Sequence, residues 1–165
     1  LPQMKKAVEA ILNEHGNEKG IIHTHTYKIA NYLKNNIKGP LKNRCGTSWD
    51  PNIRFANEKQ ANLWRKNVET LISEGVDIKL FISVTKDTIR IEPIELLKWV
   101  KDLGVKEMAL ERLTGNGNAN LHPEIFPRNI EQDKWFLKMH EQSIQYNTRD
   151  WFDNEFFESY FKSFL

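Results

Sequence analysis

Short apolar runs alternate in this chain with amphipathic segments of helix length, and that spacing limits the fold more than any other feature. The strongest run, Ile78-Lys79-Leu80-Phe81-Ile82-Ser83-Val84, is rich in branched and aromatic residues and predicts a strand. Residues 20–25 and the stretch from Val105 to Leu113 predict two more. A fourth, 44–50, is weaker because Gly46 gives a strand nothing to pack. Helices are expected between and around these runs. One covers 2–16, another 27–36. Asn57 with Gln60 resembles a capping box and opens a helix whose Ala61, Leu63, Trp64, Val68, Leu71 and Ile72 fall mostly on one face, with Gly75 as its stop. Pro93 starts the next, with Ile94, Leu97, Val100 and Leu103 inward and Gly104 at its end. Asn129 with Gln132 offers a second capping box and a helix to Tyr146. The aromatic-rich tail from Trp151 to Leu165 is a further helix candidate.

Consecutive strands with a helix between them favour parallel pairing, because a parallel crossover takes about a dozen residues or more. The expected class is therefore α/β, a parallel sheet of about four strands alternating with helices, with right-handed crossovers. The element order leaves an open doubly wound sheet and part of a β/α barrel as alternatives. Both bind ligands at the C-terminal ends of their strands. Function is accordingly sought at Thr24 to Tyr27, Ser48 to Arg54, Ser83 to Lys86 and Glu111 to Asn118.

Composition narrows the choices. A chain of 165 residues is long enough to bury a core without a disulfide or structural metal. Five Trp, four Tyr and nine Phe supply its bulk. No stretch reaches the roughly eighteen consecutive apolar residues of a membrane helix. The net charge of +2 gives a nucleic-acid partner no support. A single cysteine, Cys45, excludes an internal disulfide and any cluster held by several cysteines of this chain. It fits a reducing compartment, so a cytoplasmic location is expected. The chain begins at Leu1 rather than Met, which raises the expectation that it is a piece of something longer.

Each strand end has a functional and a structural reading. His23 and His25 share one face of a strand. A metal there would need further ligands that the sequence does not offer, and a polar strand end bonding a ligand or loop is the alternative. Ser48, Asp50 and Arg54 bring a hydroxyl, a carboxylate and a guanidinium together, a set suited to sugar hydroxyls and a ligand carboxylate. An Asx-type turn with an exposed arginine explains the same residues. Ser83 and Thr85 either line a pocket or are satisfied core hydroxyls. Glu111 and Arg112 point to opposite faces, so only one can look inward, where a buried charge needs a partner. The glycine-rich loop 114–120 is not followed at once by a helix, which weakens a phosphate reading. Cys45 reads as a small buried residue rather than a nucleophile.

These strand ends, in this order, resemble the later part of a radical S-adenosylmethionine (SAM) enzyme. Thr24-His25-Thr26 stands where that family has a Thr-Asn-Gly type element after its third strand. Ser48-Trp49-Asp50 matches the Ser-x-Asp of the fourth. Leu63-Trp64-Arg65, Leu71 and Gly75-Val76-Asp77-Ile78 resemble the entry into the fifth strand. Leu96-Leu97, Leu103-Gly104-Val105, Glu111-Arg112-Leu113-Thr114 and Gly117 resemble the sixth and its loop. The resemblance covers Ile21 to about Pro127. It implies a partial (β/α)6, TIM-like barrel over residues 1–128 and a helical extension of the same domain over 129–165. It implies SAM and a [4Fe–4S] cluster as cofactors, with Thr24, His25, Ser48, Asp50, Arg54, Ser83 and Glu111 as cofactor-binding residues. Ser48 and Asp50 would face the ribose or the substrate, Arg54 the SAM carboxylate, and Ser83 and Glu111 the barrel floor.

The family's Cys-x3-Cys-x2-Cys and Gly-Gly-Glu-Pro elements belong upstream of Leu1, so the resemblance makes this chain a fragment that is inactive alone. The full protein would cleave SAM reductively and act on an unidentified substrate, with peptide or protein modification as the family habit. Two other classes stay open: an iron-free α/β-barrel enzyme or binding domain for a small metabolite, and a non-catalytic scaffold using the aromatic tail. A half-barrel would expose a sheet edge and an apolar face, so self-association through that edge or the tail is expected. Neither a membrane nor a nucleic acid is an expected partner.

Overall fold

The sheet is parallel throughout, as the helix-length spacers require. The computed structural model describes residues 44–113 and 117–148, together with Lys6, Ala10, Ile22, His23 and Asn35. The expected helices at 2–16 and 27–36 lie largely outside the described residues, and the tail from Trp151 lies wholly outside them. Three strands carry the sheet: β2 (Arg44–Trp49), β3 (Asp77–Val84) and β4 (Glu107–Arg112). The two-residue β1 (Ile22–His23) adds to the β2 side, giving the order β1-β2-β3-β4. Among the described residues three helices follow the strands: α1 (Glu58–Ser73), α2 (Pro93–Asp102) and α3 (Asn129–Gln145). The chain is thus α/β with a parallel sheet.

Register divides the sheet into two unlike faces. Cys45, Thr47 and Trp49 of β2 align with Ile78, Leu80 and Ile82 of β3, and Leu80, Ile82 and Val84 align with Met108, Leu110 and Arg112 of β4. Aligned residues of parallel strands share a face. This face meets all three helices. Trp64 of α1 donates its indole N–H to Thr47 Oγ1 at 3.0 Å. Trp99 of α2 packs against Trp49 at 4.4 Å between ring centroids. Phe136 of α3 lies under the Arg112 guanidinium at 5.3 Å. Leu80, Ile82, Val84, Leu97, Val100, Met108, Phe136 and Met139 are all buried in one core.

Helix ends follow the sequence signals at Asn57, Gly75 and Gly104 and depart from them at Asn129. Asn57 Oδ1 accepts from the Gln60 N–H at 3.0 Å, while Gln60 Oε1 reaches back to the Ala56 N–H at 3.0 Å. Gly75 and Gly104 both take positive φ, +82° and +83°, a backbone conformation in which a side chain is strained. The second capping box does not form. The helix begins at Asn129 itself after an uncapped Arg128. Gln132 instead donates its amide to the Val84 carbonyl at 3.2 Å, closing off the end of β3. The segment read as loop between β4 and α3 holds two 3-10 turns, Gly117–Leu121 and Pro123–Ile125.

The Trp64–Thr47 bond gives a first expected result. Thr47→Val keeps the shape of a buried side chain but leaves the buried indole N–H unpaired. Such a loss costs about 1–3 kcal/mol, and urea unfolding of the variant should show it. A cost near zero would mean that water reaches the indole.

Candidate functional site

The second face carries the polar residues. Gly46, Lys79 and Glu107 align across it, then Ser48, Phe81 and Ala109, then Ser83 with Glu111 at the C-terminal end. Alternation puts Ser83 on the Phe81 face, opposite Ile82; register sets Ala109 and Glu111 of the neighbouring strand beside them. Ser48, Ser83 and Glu111 are therefore brought to one face near the C-terminal ends of three adjacent strands. That is where parallel α/β folds bind ligands.

Ser83 and Glu111 are direct register partners. Among the described residues, no hydrogen bond or ion pair engages the Ser83 hydroxyl or the Glu111 carboxylate. Glu111 is exposed, yet the crowding of its carboxyl by protein atoms pushes its pKa above the usual carboxylate range. The positive charge of Arg54 pulls it back in part. Ser48 is buried and already has an interaction of its own.

Asp50 and Arg54 hold each other. Buried Asp50 accepts the Arg54 backbone N–H at 2.9 Å through Oδ1 and the Arg54 Nε at 3.0 Å through Oδ2, with a second guanidinium nitrogen also at 3.0 Å. This is the turn reading of the loop, with the arginine folded onto its own carboxylate. Asn52, at φ +63°, crosses from this loop to Asp87 at 3.2 Å and ties the ends of β2 and β3 together. Thr85 is a satisfied core hydroxyl. It lies 3.0 Å from the Thr88 hydroxyl and accepts the Thr88 N–H at 3.1 Å.

Arg112 faces the helices and pairs with Asp133, on the face opposite Glu111. Cys45 is buried on the helix face, and burial pushes its thiol up to about 11, so it is no nucleophile at neutral pH. Thr24 and His25 lie outside the described residues, as do Thr114, Gly115 and Asn116 of the glycine-rich loop. Among the described residues, two surface grooves of about 470 and 420 Å³ open beside Trp135 and beside Trp64; Arg54 lines the second, and neither is lined by Ser83 or Glu111.

Sequence reasoning missed one pair on the polar face. Lys79 is buried and bridges to Glu107 at 3.0 Å. The signal was present: a lysine at an alternate position of an otherwise apolar strand.

The raised carboxyl of Glu111 sets a pH dependence. A carboxylate whose folded pKa exceeds its unfolded one binds more protons when folded. Its contribution is fully present below the unfolded pKa, near pH 4, and is lost as pH rises through the folded value. Glu111→Gln should therefore raise the melting temperature at pH 7 and leave it unchanged near pH 4. Melting curves across that range check this; a variant less stable at pH 7 would show that the carboxylate is stabilised by a partner.

Among the described residues, no helix is long and apolar enough to cross a membrane. No protein-family model, curated protein sequence or solved structure matches the chain.

Proposed function

We propose that the chain is the later part of a radical SAM-type β/α barrel, its polar sheet face being the inner wall. The carrying observation is the Ser83–Glu111 pair at the C-terminal ends of adjacent parallel strands, with no hydrogen bond or ion pair to its side chains among the described residues. A carboxylate and a hydroxyl side by side suit a ligand with a positive centre and hydroxyl groups. SAM has both, in its sulfonium and its ribose. On this reading Glu111 attracts the cation and Ser83 orients a hydroxyl, while the Asp50–Arg54 clip fixes the loop beside them and sets the charge near Glu111.

The [4Fe–4S] cluster does not fit this chain's own residues. Cys45 is the only cysteine and is buried. Among the described residues no group of three or more His, Cys, Asp or Glu could hold a metal. The cluster ligands, on this reading, lie upstream of Leu1, and the chain alone does not cleave SAM.

Calorimetric titration of the 165-residue chain with SAM tests the binding half. Glu111→Gln and Ser83→Ala should each weaken binding by roughly tenfold. An absence of binding, or binding indifferent to both changes, overturns the assignment of this site. Sequencing the coding DNA upstream tests the other half. An in-frame Cys-x3-Cys-x2-Cys is expected; a start codon directly before Leu1 without that motif overturns the radical SAM assignment.

A second reading is favoured by the raised Glu111 carboxyl. A carboxyl raised above its ordinary range and set beside a hydroxyl is suited to general acid–base work on a small metabolite without iron. It uses the same two residues but requires no cysteine triplet and no iron in the active protein.

A further inference from the structure

α3 carries a row of large apolar side chains that the fold does not use. Trp135, Phe136 and Met139 are buried on its inner side, whereas Ile130, Leu137 and Ile144 are 59%, 46% and 50% exposed. The three recur every seven residues. At 3.6 residues per turn they stay within about 40° of one line along the helix. Lys134 and Glu141 are exposed and follow Ile130 and Leu137 by four residues, along one edge of that row. Among the described residues neither enters an ion pair.

We propose that this face is the interface of a two-fold dimer in which α3 lies antiparallel to α3 of a second copy. The pattern is self-complementary about Leu137. Ile130 and Ile144 each stand seven residues from it, so a two-fold axis there sets Ile130 against the second copy's Ile144 and Leu137 against itself. Lys134 stands three residues before the centre and Glu141 four after. Across the axis they meet with an offset of about 1.5 Å, the rise of one residue. An antiparallel two-fold keeps the charged edge of one helix against the charged edge of the other, so two Lys134–Glu141 pairs form, as flanking charges do in coiled coils. A parallel pair would set that edge against the opposite edge and lose both. This matching of apolar and charged positions by one operation selects a second copy as the occupant. One helix face is smaller than a standard interface, so the dimer is weak and concentration-dependent.

Sedimentation velocity over a concentration series of the 165-residue chain tests this. The mass should rise from monomer toward dimer. Leu137→Glu should abolish the rise. Lys134→Glu should weaken association by roughly tenfold, since two attractive pairs become repulsive. Lys134→Glu combined with Glu141→Lys should recover the parent affinity to within about threefold. All three positions are exposed, so melting of the dilute variants should match the parent; the charge exchange still decides the matter if Leu137→Glu fails to fold. A chain that stays monomeric overturns the proposal. So does association that survives Leu137→Glu, which would place it at the sheet edge or the tail, or a charge exchange that fails to recover.

Discussion

Replacing Phe136 by alanine should lower the stability of the chain by about 3–5 kcal/mol, the cost of emptying a large core site. Phe136 is fully buried, with its ring edge-on to Trp135 at 5.6 Å between centroids. It also supports a charge. The Arg112 guanidinium lies 5.3 Å above the ring while pairing with Asp133 of the same helix. Removing the ring therefore opens a cavity between α3 and β4 and withdraws the surface on which a half-buried cation rests. Urea unfolding followed by tryptophan fluorescence would measure the loss, with a fall in Tm of roughly 10 °C. Leu137→Ala on the exposed side of the same helix is the control and should change stability by about 0.5 kcal/mol or less. A loss below about 1.5 kcal/mol for Phe136→Ala would mean that α3 is not docked on the sheet as described.

The same helix shows where a sequence stops being legible. Ends decided by local chemistry were readable: Asn57 caps α1, and Gly75 and Gly104 take the positive φ that terminates a helix. The Asn129–Gln132 signal has the same spacing as the Asn57–Gln60 one, but Gln132 spends its amide on Val84, 48 residues away. A short pattern cannot distinguish a local acceptor from a distant one that tertiary packing brings within reach. The strands follow the same division. The apolar run of β3 declared itself, but which of its residues faces the helices is fixed by pairing with β2 and β4. Ser83 and Glu111 were legible as strand-end polar residues; that they are neighbours was not, because their separation in sequence carries no register. Asp50 and Arg54 were legible as a cluster, and the four-residue spacing that joins them as a turn was as visible as the one that suggested a ligand clamp.

The Lys79–Glu107 pair yields the second large effect. Lys79 stands between Ile78 and Leu80 in the middle of the sheet, 8% exposed, and its ammonium meets Glu107 at 3.0 Å with the Phe81 ring 5.7 Å away. Lys79 and Glu107 each have a further interaction, so losing Glu107 leaves the buried ammonium its desolvation cost with part of the attraction that offset it gone. Glu107→Ala should therefore cost about 2–4 kcal/mol; the side chain of Glu107 is 27% exposed, so water can replace part of what it supplies. Replacing both, Lys79→Met with Glu107→Leu, removes the buried ammonium together with this counter-charge and should recover most of the loss seen in Glu107→Ala. Equilibrium unfolding of the single and double variants completes the cycle. The pair lies toward the N-terminal ends of β3 and β4, whereas Ser83 and Glu111 lie at the other end. If the proposed SAM site holds, the double variant should therefore bind SAM with the affinity of the parent. If the double variant is as unstable as Glu107→Ala, the polar face cannot pack two apolar side chains at these positions, and the weakened compensation of the ammonium is not what destabilises the single variant. If it is stable but no longer binds, the polar face acts as one continuous wall, and the ligand reaches deeper than the strand ends.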